Sequence, residues 1–248
     1  MTRIGLLSDV HGNLPALEAV LAELEAEELD AVVCLGDVAV GPQPVESLAR
    51  VRALGCPTIK GNWDEWFCEG IPRAQAGDEV GGKLVEIAEW WAAKLSGDDL
   101  ALMRSFVPAA EVDLGAGETA LCFHGSPSSN LEGIFSVTPD EALGRLLGDV
   151  RARVLLCGHT HVQMLRRYGH SVVVNPGSVG LPFGDWAPRR VRIAPWAEYG
   201  IVGWGDDRLH VDLRRVSYDV EAYLHRCLES GMPHARWWVD SWQLEATP

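Results

Sequence analysis

Short unbroken apolar blocks alternate with stretches in which apolar residues recur every three or four positions, and this alternation sets the predicted elements. Ile4-Gly5-Leu6-Leu7, Ala31-Val32-Val33-Cys34-Leu35 and Pro57-Thr58-Ile59-Lys60 read as buried strands. Between the first two, Leu14, Leu17, Leu21 and Leu24 recur at helical spacing, with Asn13 as cap and Pro15 in the first turn. A Gly-Pro turn and a helix over Val45–Leu54 lead into the third. This β-α-β-α-β order predicts parallel strands joined by crossover helices.

The alternation stops after Asp64. Residues 66–118 predict a helical insertion, or cap, set beside the strand ends. One helix covers Val80–Leu95, with Leu84, Ile87, Trp91 and Leu95 on one side; another follows the Ser96-Gly97-Asp98 capping signal through Phe106. Strand–helix alternation resumes with Thr119–Phe123, a helix over Pro139–Leu147, and strands over Arg153–Cys157 and Ser171–Val174. Tyr199–Trp204 and Leu209–Val216, joined by Gly205-Asp206-Asp207, predict an antiparallel hairpin. A helix over Asp219–Leu228 follows, and then a tail with Trp237, Trp238 and Trp242 that is too aromatic for disorder and is expected to pack on the body or on a second subunit. The organisation expected is one domain over 1–248 carrying the insertion, with a homodimer as a possible assembly.

Composition narrows the function classes. The 248 residues are 47 % hydrophobic and 23 % charged, ordinary for a globular chain. The net charge of −14 argues against non-specific nucleic-acid binding, while leaving a nucleotide-type substrate open if cations invert the local field. No apolar run reaches the ~20 residues of a membrane span, and Met-Thr-Arg runs directly into the first strand without a signal-peptide pattern. The six cysteines are scattered with no Cys-x-x-Cys pair, so core filling in a reducing cytoplasm is expected.

The chemistry sits where the apolar blocks end. Asp9 and His11, Asp37, Asn62, His124, and His159 and His161 each follow such a block, beside a glycine in most cases. Seven oxygen and nitrogen donors without a thiolate exceed the about four ligands of one zinc, and suit two ions sharing a carboxylate. Mixed imidazole, carboxylate and amide donors favour first-row divalent ions. Two such ions roughly 3.5–4 Å apart are suited to in-line displacement at phosphorus. Asn13 lies close enough to this group to reach a phosphate oxygen, beside its capping role. Arg189 and Arg190 are a further basic pair able to meet a phosphate, or simply to be solvated in a loop.

Taken together, Asp9-x-His11, Gly36-Asp37, Gly61-Asn62-x-Asp64, His124-Gly125 and Gly158-His159-Thr160-His161 resemble the five motifs of the calcineurin-like metallophosphoesterase superfamily, and its YfcE-like phosphodiesterase branch in particular. The likeness spans residues 4 to about 184, and Asn175–Gly180 also resembles that branch. It implies an α/β four-layer sandwich of two mixed β-sheets flanked by helices. It implies Asp9, His11, Asp37 and His161 on a first metal, with Asp37 bridging and Asn62, His124 and His159 completing a second. Asp37, Asn62 and His124 are the expected catalytic residues, and Asn13 and Asn62 the expected contacts to a small phosphoester substrate. The expected cofactors are two divalent transition-metal ions, manganese first, with zinc, iron and nickel as alternatives.

One departure is informative. Many members carry a histidine after the Gly-Asn pair, to assist the leaving group; this chain has Trp63, as the YfcE-like branch also tends to lack the histidine. A tryptophan donates no proton to a leaving oxygen at neutral pH, which points to diesters or activated aryl esters. Asp64 is read either as a carboxylate orienting His124 or as a turn residue. The alternatives are a phosphomonoester, phosphoprotein or dinucleoside polyphosphate phosphatase, and a non-catalytic metal-binding interaction scaffold.

Overall fold

Strand β1 (Thr2–Leu7) is buried on both faces: Ile4 and Leu6 join one apolar cluster and Leu7 another. That is what a strand inside a layered sandwich requires. The computed structural model describes residues 1–187 and 190–242. β1 pairs in parallel with β2 (Ala31–Cys34) and antiparallel with β10 (Ala197–Gly205), which pairs with β11 (Arg208–Val216), giving the order β11-β10-β1-β2. The second sheet has the order β3-β4-β5-β7-β6, from β3 (Ala109–Gly115), β4 (Glu118–Phe123), β5 (Val154–Leu156), β6 (Met164–Tyr168) and β7 (Ser171–Asn175). Its central β4, β5 and β7 are parallel, while the edge strands β3 and β6 run antiparallel. Strands β8 (Phe183–Ala187) and β9 (Arg190–Ile193) form a separate two-stranded ribbon.

The two sheets face each other through Ile4, Leu6, Val33, Leu35, Cys122, Leu156, Val174 and Val202, which form one buried cluster. The outer face of the first sheet is covered by helices α1 (Leu14–Glu25), α2 (Pro44–Leu54), α4 (Glu79–Ala92), α7 (Val220–Glu229) and α8 (Ala235–Val239), whose apolar sides share one core. The outer face of the second is covered by α6 (Asp140–Leu147) through Leu143 and Leu147. The result is the four-layer α–β–β–α arrangement with two mixed sheets. Among the described residues no helix is long and apolar enough to cross a membrane.

Three expectations change. Pro57–Lys60 is not a strand; Thr58 makes a single bridge to Cys34 and Ile59 a single bridge to Val107. The helical block starts earlier than residue 66, at α3 (Asn62–Glu69), and ends with α5 (Gly97–Arg104). Residues 109–115, placed in the insertion by sequence, are β3, an edge strand with one buried residue, Leu114, and hence a weak hydrophobic pattern. Strand β6, which buries only Met164, escaped prediction for the same reason.

The tail does pack back on the body. Trp238 meets Trp91 of α4 edge-on at 5.4 Å, and Trp242 meets Tyr223 of α7 at 5.2 Å. Trp91 is therefore a core residue, while Trp90 is half-buried beneath Lys94. Cys34, Cys122, Cys157 and Cys227 are buried free thiols.

Candidate metal centre

The parallel strands β1, β2, β4 and β5 deliver their C-terminal ends to one edge of the sandwich, as parallel strands with crossovers do. The side chains turn inward there because the backbone does something most residues avoid. Asp9, His11, Asp37, His159 and His161 all have φ between 49° and 68°, the left-handed region. For a non-glycine residue this costs roughly 1 kcal/mol or more, and it persists only where surrounding structure enforces it. The enforcement is visible. Asp9 N–H donates to the Gly36 carbonyl at 2.9 Å, His11 N–H to the Asp37 carbonyl at 3.0 Å, and Gly180 N–H to the Asp9 carbonyl at 3.0 Å. The loops lie so close that a Cβ on Gly158 would sit 2.0 Å from Ser8 Oγ and one on Gly61 2.0 Å from Asp37 Oδ1.

Asp9 is the hub. Its Oδ2 accepts from Ser8 Oγ at 2.5 Å and from His159 N–H at 3.0 Å. Its Oδ1 has no hydrogen-bond partner, although the residue is fully buried. Around that oxygen lie His161 Nε2 at 3.2 Å, His11 Nε2 at 3.7 Å and His124 Nε2 at 4.0 Å. His11 Nε2 and His161 Nε2 are only 3.0 Å apart. On the other side, His124 Nε2 lies 3.4 Å from Asp37 Oδ2 and 3.3 Å from Asn62 Oδ1.

The far nitrogens of three of these rings are fixed by backbone carbonyls. His161 Nδ1 meets Leu181 O at 2.7 Å, His124 Nδ1 meets Leu35 O at 2.7 Å, and His159 Nε2 meets Leu131 O at 3.1 Å. A carbonyl only accepts, so each of these nitrogens is the donor. The lone pair of the neutral ring then falls on Nε2 of His124 and His161, and on Nδ1 of His159. Converging lone pairs and an orphaned, buried carboxylate oxygen are the donor set a divalent cation satisfies. Among the described residues two groups of three meet the requirement: Asp9, His11 and His161, and Asp9, Asp37 and His124.

The electrostatics agree. Burial alone would push the Asp9 carboxyl up, yet the imidazoles of His161, His11 and His124 hold it well below the usual range. Burial lowers His11 and His159, keeping those rings neutral and ligand-competent. Burial works in the same direction on His124, but Asp37 and Asp9 outweigh it and carry its pKa up to about 10. A cation entering here must displace that proton.

The sequence-predicted residues can now be placed. Asp9, His11, Asp37, Asn62, His124 and His161 are buried together, and the His159 ring stands half-buried at the rim, 5.2 Å from that of His124. The member common to both groups is Asp9, whereas the resemblance implied Asp37 as the bridge; Asp37 Oδ1 is occupied by the Trp63 N–H at 2.9 Å. Asn13 caps α1 as expected, and its side chain is taken up by bonds within the protein. It is fully buried, its Oδ1 accepts from Ala16 N–H, and its Nδ2 donates to Gly180 O and Tyr218 Oη. Arg189 lies outside the described residues, as does the side chain of Arg190. His170, His210 and His225 are exposed, and His234 pairs with Glu86 at 2.8 Å.

Asp64 neither orients His124 nor marks a mere turn. Its carboxylate accepts N–H bonds from Asp37 at 2.7 Å, Val38 at 3.0 Å and Gly61 at 3.0 Å, tying the Asp37 loop to the start of α3. Burial and the Asp37 charge push its pKa up to about 7 against those three bonds. Asp64→Ala would leave three buried donors unsatisfied. We expect a loss of about 3 kcal/mol or more, read by urea unfolding of the metal-free protein.

Sequence reasoning missed the residues that hold the ligands. Asn175 donates to Gly158 O at 2.7 Å and to Thr160 Oγ1 at 3.0 Å, shaping the loop that carries His159 and His161. Ser178 Oγ donates to Asp9 O at 2.8 Å. The Asn175–Gly180 segment was the only signal for either.

Comparison with known proteins follows the same lines. Residues 2–192 match the family model of the calcineurin-like phosphoesterase superfamily domain. A metallophosphoesterase from Sphaerobacter thermophilus is 26 % identical, with 97 % of this chain and 98 % of that one covered at a TM-score of 0.73. A hypothetical protein from Pyrococcus horikoshii shares the fold at a TM-score of 0.77 and 22 % identity, over 94 % and 95 % of the two chains. An uncharacterized protein from Methanocaldococcus jannaschii is 26 % identical over 93 % of both chains. The buried donor set at the strand ends and a match over most of the chain lead to one conclusion: this protein belongs to the calcineurin-like phosphoesterase superfamily, whose members are metal-dependent phosphoester hydrolases.

Proposed function

We propose that this protein is a dinuclear metal-dependent phosphodiesterase acting on a small or nucleotide-type diester, in a reducing cytoplasm. The observation that carries the dinuclear part is Asp9, which belongs to both donor groups and whose Oδ1 is buried without a hydrogen-bond partner. Asp9, His11 and His161 would hold one ion, and Asp37, Asn62, His124 and His159, with Asp9 again, the other. The oxygen and imidazole donors suit manganese, and also zinc, iron or nickel. Bound there, the ions supply Lewis-acid polarisation of the phosphoryl group and a nucleophile at neutral pH.

The chain's own residues contribute geometry. Leu35, Leu131 and Leu181 carbonyls fix the ring orientations before a ligand arrives. With Asn62 Oδ1 turned toward His124, the amide hydrogens of Asn62 are left for a phosphoryl oxygen. Trp63, in the first turn of α3, holds Asp37 through its backbone N–H but brings no acid to the leaving group. Leaving-group quality then decides the substrate, which favours diesters and aryl esters. Free thiols at all six cysteines support the reducing compartment.

The test is hydrolysis of bis-p-nitrophenyl phosphate beside p-nitrophenyl phosphate, on metal-stripped protein refilled with manganese. The expected result is diester turnover exceeding monoester turnover, and neither without metal. Faster cleavage of simple alkyl monoesters would reject the diester assignment.

A further inference from the structure

We propose that Tyr218, in the C-terminal segment beyond the stretch matched to the superfamily, is a positioning residue for the metal-binding turn Asp9–Gly12 and acts through Asn13. This inference rests on metal binding at Asp9, His11 and His161 as read above.

The turn is left-handed at Asp9, His11 and Gly12, so it needs restraint from outside. Part of that restraint comes from residues 178–181. Ser178 Oγ and Gly180 N–H both bond the Asp9 carbonyl, Val179 N–H bonds the Ser8 carbonyl at 2.9 Å, and Leu181 O holds His161. Asn13 closes the arrangement. Its backbone N–H returns to Val10 O at 3.1 Å, its Oδ1 caps α1 at Ala16 N–H, and its Nδ2 donates to Gly180 O at 3.1 Å. The second Nδ2 hydrogen goes to Tyr218 Oη at 2.9 Å.

Tyr218 lies between β11 and α7, about two hundred residues along the chain from the turn it touches. The Ala16 N–H and the Gly180 carbonyl fix the orientation of the Asn13 amide, and the Tyr218 hydroxyl is the acceptor for its second hydrogen. With the phenol in place, both amide hydrogens have acceptors and the amide oxygen faces Ala16. Without it, one hydrogen is stranded in a fully buried site, and rotation of the amide would set its oxygen against the Gly180 carbonyl. Either way the grip of Gly180 on the Asp9 turn loosens. Burial raises the Tyr218 pKa far above the ordinary phenol value, so the group stays a neutral hydroxyl at any working pH. Neighbouring Tyr223 is a natural control: it is equally aromatic, fully buried where Tyr218 is half-buried, and neither amide hydrogen of Asn13 goes to it.

The experiment is titration of metal-free protein with manganese, followed by calorimetry, together with melting of the metal-free protein. Tyr218→Phe is expected to weaken binding of the tighter ion about 10-fold or more, the effect typical of lost support behind a ligand, while Tyr223→Phe binds as the wild type does. Asn13→Ser keeps an oxygen for the α1 cap and lacks both donors, so it is expected to weaken binding similarly. The Asn13→Ser/Tyr218→Phe double variant should then lose no more than Asn13→Ser alone. Wild-type affinity in Tyr218→Phe, equal losses in Tyr218→Phe and Tyr223→Phe, or additive losses in the double variant would each overturn the proposal. Absence of binding by the wild type would instead overturn the metal-site reading on which it rests.

Discussion

Asp9→Asn is expected to empty both metal positions and to reduce phosphodiester turnover about 10³-fold, the loss of several kcal/mol of charge stabilisation. The substitution is close to isosteric. An amide oxygen can still accept from Ser8 Oγ and His159 N–H, so the turn retains its local bonds. What disappears is the charged Oδ1, which the structure leaves without a hydrogen-bond partner among the ring nitrogens of His11, His124 and His161. An NH2 group in its place would confront those nitrogens instead of sharing a cation with them. Elemental analysis of protein refilled with manganese measures the outcome directly. Asp37→Asn is the informative partner, because Asp37 belongs to one donor group and Asp9 to both. Asp37→Asn should retain the ion at Asp9, His11 and His161 and lose the other. Loss of both ions from Asp37→Asn, with one retained in Asp9→Asn, would return the bridging role to Asp37.

The ligand set was legible because each member is announced locally. An apolar run ends, and Asp, Asn or His follows it, usually next to a glycine, as in Leu35-Gly36-Asp37 and Cys157-Gly158-His159. The arrangement of the ligands was not, because it depends on atoms that leave no trace in residue identity. The carbonyls of Leu35, Leu131 and Leu181 orient the imidazoles, and any residue has a carbonyl. Asp64 could be read only as a carboxylate orienting His124 or as a turn residue, since its role lies in three backbone N–H groups contributed by two loops. The elements that escaped were edges. β3 and β6 pair on one side only and bury a single residue each, so their hydrophobic period is faint. β10 was readable for the opposite reason: it lies between β1 and β11 and is buried along eight of its residues.

Trp63→His is expected to raise kcat/KM for alkyl monoesters by about 10²-fold, the lower end of what a positioned general acid contributes. The backbone needed for this is already present. Residue 63 lies in the first turn of α3 directly after the buried Asn62, and its N–H is anchored on Asp37 Oδ1 at 2.9 Å, an interaction any side chain leaves intact. The Trp63 ring packs edge-on against Trp66 at 4.8 Å and Phe67 at 6.3 Å, so removing it costs stability. Aromatic pairs of this kind contribute roughly 0.5–1.5 kcal/mol each, which a folded domain tolerates. Trp63→Phe separates the two consequences. It disturbs the same packing and supplies no proton, so its monoester rate should stay at the wild-type level while its melting temperature falls. Diester cleavage by Trp63→His should change much less than monoester cleavage, because p-nitrophenolate departs without protonation. A uniform gain on every ester would mean that Trp63 restricts access to the metal centre; a monoester-selective gain seen only with histidine would identify the missing acid as the reason for diester preference.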